Sequence, residues 1–111
     1  MAKFADNLKK LPGISHLAAI NLLDADGCVL ASIENKTGSQ GSLAVYNHLA
    51  QTYGAITPDA ARKGLEIFAE HSEDARIHPG KHPNIDRLIA LADGDGLGVF
   101  RIKHVFAVES F

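Results

Sequence analysis

Two stretches of alternating hydrophobicity enclose a run of helical periodicity, and that order most constrains what this chain can fold into. In residues 17–34, Ile20 and Leu22 share a strand face, as do Val29, Ala31 and Ile33, and Asp24-Ala25-Asp26-Gly27 breaks the pattern. Period-two alternation around an Asp-Gly turn reads as a β-hairpin. In residues 99–108, Phe100, Ile102, Phe106 and Val108 share one face, and Arg101 and Lys103 take the other. Between these stretches apolar residues recur at three- and four-residue spacing, as on a helix face. Strands gathered apart from helices argue for an α+β arrangement rather than a doubly wound parallel one.

Glycine and proline divide the chain further. Phe4, Leu8 and Leu11 predict a short helix over residues 3–10, stopped by Pro12-Gly13. Ser42 reads as the N-cap of a second helix, whose buried face is Tyr46, Leu49, Ala50 and Tyr53 and whose stop is Gly54. Thr57, Pro58 and Asp59 form the clearest helix start. Ala61, Leu65, Phe68 and Ala69 line that helix's core face, and it must end by about Ile77, because Pro79 disfavours the α region at His78. Gly64 costs about 1 kcal/mol against alanine inside a helix, which suggests a close crossing there. Residues 85–92 fit both periods. Ile85, Leu88, Ile89 and Ala92 suit a helix, while Leu88, Ala90 and Ala92 alternating with Ile89 and Leu91 suit a strand buried on both faces. The following Asp93-Gly94-Asp95-Gly96 turn tips the reading toward a second hairpin. The expected fold is one α+β domain over residues 1–111. Two β-hairpins form a four-stranded antiparallel sheet, with a helical pair, between them in sequence, packed on one face.

The chain has 111 residues, 46% hydrophobic and 22% charged, enough for an independent core. Its formal net charge is −2, and its basic residues are scattered, which argues against a nucleic-acid partner. No apolar run approaches the ~20 residues of a membrane span, and the first ten residues lack a secretory apolar core. The single cysteine, Cys28, fits a reducing, cytoplasmic compartment and reads as a small half-buried hydrophobe at a strand start.

The densest polar constellation lies in residues 70–87, which hold His71, His78 and His82. On a continuous helix His71, Asp74 and His78 fall on one face, with His82 able to join from the loop. Two imidazoles and a carboxylate form a usable ligand set for a divalent metal such as zinc or ferrous iron, although the spacing departs from the standard zinc motif. A hydrated helix end, with its histidines near the favourable C-terminal dipole, explains the same residues without a ligand. A metal-free site would use His82, Asp86 or Asp74 for acid–base work. Lys81, Arg87 and Arg76, with Asn84 and Ser42, would hold an anionic group.

A second candidate is the glycine-bearing loop of residues 36–42. It leads into a helix whose first amides suit phosphate or carboxylate, but it lacks the order of a nucleotide-binding P-loop. Asp24, Asp26 and Gly27 resemble part of a calcium loop without its later carboxylates, so a hairpin turn explains them. His16, His48 and His104 read as packed or surface residues. The apolar residues 105–111 suggest sheet cover, or edge pairing in a homodimer.

Three blocks, Leu22-Leu23-Asp24-Ala25-Asp26-Gly27, Gly41-Ser42-Leu43-Ala44-Val45-Tyr46-Asn47 and Pro79-Gly80-Lys81-His82-Pro83-Asn84-Ile85-Asp86-Arg87-Leu88, resemble a family of short bacterial proteins catalogued as a domain of unknown function. The resemblance implies a bacterial, cytoplasmic protein and carries over no activity or site residue. Because no complete catalytic set stands in the chain, the leading expectation is a small ligand- or partner-binding, or regulatory, module with its site in residues 71–87. The alternatives are a small acid–base enzyme acting on an anionic metabolite, or a metal-binding protein through His71, Asp74 and His78.

Overall fold

The first hairpin forms where alternation and turn chemistry agree. In the computed structural model, which describes residues 3–94 and 99–107, β1 (Leu17–Leu23) pairs antiparallel with β2 (Val29–Glu34), setting Ile20 opposite Ile33 and Leu22 opposite Ala31. The Asp24 carboxylate accepts the N–H groups of Asp26 and Cys28, each at 2.9 Å, and Gly27 takes the left-handed φ of 85°. These bonds account for the acidic turn. Cys28 corrects the expectation of a half-buried residue: β2 begins only at Val29, so Cys28 stays in the turn and is exposed.

The helical run holds four helices, preceded near the N-terminus by α1 (Phe4–Leu8): α2 (Gln40–Tyr53), α3 (Pro58–Phe68), α4 (Glu70–Ile77) and α5 (Pro83–Ala92). The last strand, β3 (Arg101–Phe106), pairs antiparallel with the other side of β1, giving a three-stranded sheet in the order β2-β1-β3. The expected four-stranded sheet is therefore corrected, because residues 85–92 are helical. Pro83 presets the first helical turn, and Ile85, Leu88 and Leu91 turn one face into the core. A strand buried on both faces would need cover on both sides. The sheet face carrying Leu30, Ser32, Glu34, Arg101 and Lys103 is exposed. Residues 95–98, which include part of the proposed turn, lie outside the described residues, as does Val108. Phe100 faces the core, but Phe106 is 63% exposed, past an irregularity in the register between Leu17 and Ala19.

A further correction concerns the single helix read between Thr57 and its limit at Ile77. It breaks at Ala69, which adopts φ 51° and ψ −117°, so α4 leaves in a new direction. Thr57 caps α3 as expected, accepting the Ala60 N–H at 3.1 Å. Ser42 is not a cap. It is the third residue of α2, and Ser39 holds the N-cap position.

The core lies between the inner sheet face and α2, α3 and α5, with Ile20, Leu22, Tyr46, Leu49 and Leu88 fully buried. Gly64 lets α3 approach both neighbours, since a Cβ there would lie 2.8 Å from Leu88 and 2.9 Å from Leu49. His104 is packed, with its Nε2 3.1 Å from Oδ1 of buried Asn47.

Candidate functional site

After α4 the chain turns back on itself. Gly80, at φ 93°, permits the turn, and its N–H donates to the Asp86 carboxylate at 2.9 Å. This loop carries Lys81 and His82 back across α4, opposite Asp74. The Asp74 Oδ2 atom accepts from Lys81 Nζ at 3.1 Å and lies 2.6 Å from His82 Nε2, while His78 Nε2 stands 3.9 Å from Oδ1, outside hydrogen-bond range. The bonds from His82 and then Lys81 hold the Asp74 carboxyl down to about 2, so it stays ionised over the whole physiological range. An ionised carboxylate on Nε2 keeps a proton there, so His82 Nδ1 accepts when the ring is neutral and donates to an anion when the ring is protonated.

His82 and Lys81 stand at the edge of a cavity of about 440 Å³. Its walls come from four parts of the chain: Phe4 and Leu8 of α1, Gly38 with Gln40, Gly41 and Ser42 at the start of α2, Phe68 and His71 around the helix break, and Lys81 to Ile85 at the start of α5. The two segments flagged separately in the sequence thus meet at one place. Neither α2 nor α5 has a side-chain cap at its N-terminus. Pro83 has no N–H, and the Gln40 and Ile85 N–H groups bond to the Lys36 and His82 carbonyls, so the first-turn amides left without a partner among the described residues are those of Gly41 and Ser42 in α2 and Asn84 in α5, at the positive ends of the two helix dipoles.

Other proposed residues lie elsewhere or already have partners. Arg87 Nη1 donates to the Tyr46 hydroxyl at 3.2 Å and to Asn84 Oδ1 at 3.0 Å, and the Tyr46 hydroxyl donates to the Asn84 carbonyl at 2.6 Å. Burial pushes the Tyr46 phenol up to about 12 despite the neighbouring guanidinium. Arg76 pairs with Asp93 at 3.7 Å, and Asp86 closes the Gly80 turn. Asn84 and Ser42 line the cavity; Arg87, Arg76, Asp86 and Asp74 do not. Among the described residues no group of three or more His, Cys, Asp and Glu side chains is placed to hold a metal ion. The break at Ala69 and the turn at Gly80 bring His71 beside His82, with ring centroids 5.9 Å apart, while His78 remains exposed.

Sequence reasoning missed the aromatic wall. Phe4 was assigned to a helix face and Phe68 to the core. Their rings pack at 5.1 Å, and His71 meets Phe4 edge-on at the same separation. A larger cleft of about 990 Å³ lies on the other side of α1 and includes Lys10, His48, Lys63, Glu66 and Glu73. Its lining charges are of both signs, with Lys63 and Glu66 paired at 3.5 Å, whereas no carboxylate lines the smaller cavity.

No helix among the described residues is long and apolar enough to cross a membrane. The chain belongs to the bacterial family described as "Uncharacterized protein conserved in bacteria (DUF2322)", which it matches over residues 4–102. No curated protein and no solved structure matches it.

Proposed function

We propose that the chain is a binding or regulatory module that holds a small anionic ligand in the cavity between the starts of α2 and α5. The observation that carries this reading is the convergence of two separate segments, residues 36–42 and 71–87, on one cavity. Lys81 supplies a cation there, His71 and His82 supply imidazoles, and two uncapped helix starts supply amides. A ligand that binds only the native state raises stability by mass action, by about 2.7 kcal/mol at a hundredfold excess over Kd. Calorimetric melting in rising inorganic phosphate, at constant ionic strength, should therefore raise Tm, and Lys81→Gln should weaken the rise. An unchanged Tm against a chloride control removes the reading.

The 2.6 Å contact between His82 and Asp74 favours a second reading, a small acid–base enzyme with His82 as the proton-transfer group. Its mark is turnover of an anionic ester that His82→Gln abolishes while phosphate still stabilises the fold. Under either reading the protein is a bacterial cytosolic homodimer. The exposed Cys28 suits a reducing compartment. The edge strand β2, with Val29 58% and Leu30 53% exposed, offers a pairing surface to a second copy. A monomer mass by light scattering at high protein concentration removes the dimer.

A further inference from the structure

The ring geometry of the cavity points to a more specific ligand: we infer that it takes an anion whose compact charged head is joined to an apolar body the size of a single ring. This inference rests on the anion-binding reading and adds the second half of the molecule. Phe68, Phe4, His71 and His82 are successive neighbours, with centroid separations of 5.1, 5.1 and 5.9 Å, so the contacts pass from hydrocarbon rings to imidazoles. Lys81 and the His82–Asp74 pair stand at the polar end. Phe68 is itself buried, whereas Phe4 is only half-buried and presents ring surface to the cavity together with Leu8.

Gly41 completes the apolar end. A Cβ at this position would lie 3.1 Å from the Phe4 ring, so the ring packs closely over the glycine. A bare phosphate at Lys81 would leave much of the 440 Å³ to water held against hydrocarbon, whereas a ring-sized body would displace that water favourably. The ligand is therefore oriented, with its anion at Lys81 and His82 and its apolar body against Phe4.

The test compares phenyl phosphate, inorganic phosphate and phenol by isothermal titration against the wild-type chain. Phenyl phosphate should bind at least about tenfold more tightly than inorganic phosphate, a gain in line with burying one apolar face. Phe4→Ser should remove that advantage and leave inorganic phosphate unchanged. Equal affinity for the two phosphates overturns the inference while the anion-binding reading stands. Binding of phenol as tight as that of phenyl phosphate overturns the anionic half, and no binding by any of the three overturns both. The ligand comparison needs only the wild-type chain, so its outcome does not depend on whether Phe4→Ser folds.

Discussion

Helix α5 joins two polar clusters that differ in whether their charged groups border a cavity. On its inner side Tyr46, Asn84 and Arg87 form a connected set, in which the phenol both donates and accepts and Arg87, which does not line the cavity, reaches two acceptors through Nη1. At its start Lys81 and His82 converge on Asp74. An ammonium has three donors and an imidazole two nitrogens, so both keep capacity toward the cavity. The first cluster is half-hidden scaffold; the second is chemically unfinished. Having polar residues does not separate a site from a framework. Polar residues with bonding capacity left over, next to a cavity, do.

The largest effect that would break this contrast lies in the inner set. Tyr46→Phe removes the donor to the Asn84 carbonyl and an acceptor for Arg87, and should cost about 1–3 kcal/mol by chemical denaturation. The pH dependence has a definite sign. Tyr46 titrates at about 12 in the fold, against 10.0 ordinarily. A neutral phenol with a raised pKa contributes stability that is complete below pH 10 and is lost as pH rises toward 12, up to about 3 kcal/mol for a buried group. The stability gap between the wild-type chain and Tyr46→Phe should therefore narrow across that window. A gap that stays constant, or a substitution without cost, would mean that the inner set is no scaffold.

A smaller effect of opposite sign is expected at Ala69, whose bend aims α4 at the start of α5. Its φ of 51° with ψ of −117° strains an L-residue. Ala69→Gly should raise stability by about 0.5–1 kcal/mol, since relieved strain outweighs the added freedom of the unfolded chain. A fall in Tm would show that the bend carries no such strain.

Ala69 also shows why only part of the molecule was legible in its sequence. The hairpin could be read because the alternation of Ile20, Leu22 and Ile33 agrees with the turn at Asp24 and Gly27, and the start of α3 because Thr57, Pro58 and Asp59 all say the same thing. Alanine is the best helix former, so nothing at residue 69 announces a break. The alanines and leucines of residues 85–92 satisfy both periods, and there the chain alone could not decide between α5 and a fourth strand. The site was half legible. Lys81, His82, Asn84 and Ser42 are legible as a cation, an imidazole, an amide and a hydroxyl able to meet an anion, but that residues 36–42 and 71–87 share one cavity is a tertiary fact. Phe4 and Phe68 carried the ordinary signature of a core face, which is the same hydrophobic spacing that builds an aromatic wall.

The smallest effect sharpens the comparison most. If the outer cluster is for binding, its removal should barely touch the fold. Lys81 is 59% exposed on its side chain, and ion pairs of that kind add little to stability. Lys81→Gln should therefore leave Tm unchanged in the absence of phosphate. Asp74 adds a second check at acid pH. Its carboxyl is held at about 2 against an ordinary 3.8, so what it contributes is present above 3.8 and lost as pH falls through 2. Asp74→Asn should flatten the acid side of the stability curve only in that window, and salt should shrink the difference, because the group is partly exposed and its partners are screened. If Asp74→Asn instead destabilised the chain at neutral pH as much as Tyr46→Phe does, the two clusters would be one framework, and the bonding capacity of Lys81 and His82 would no longer mark a site.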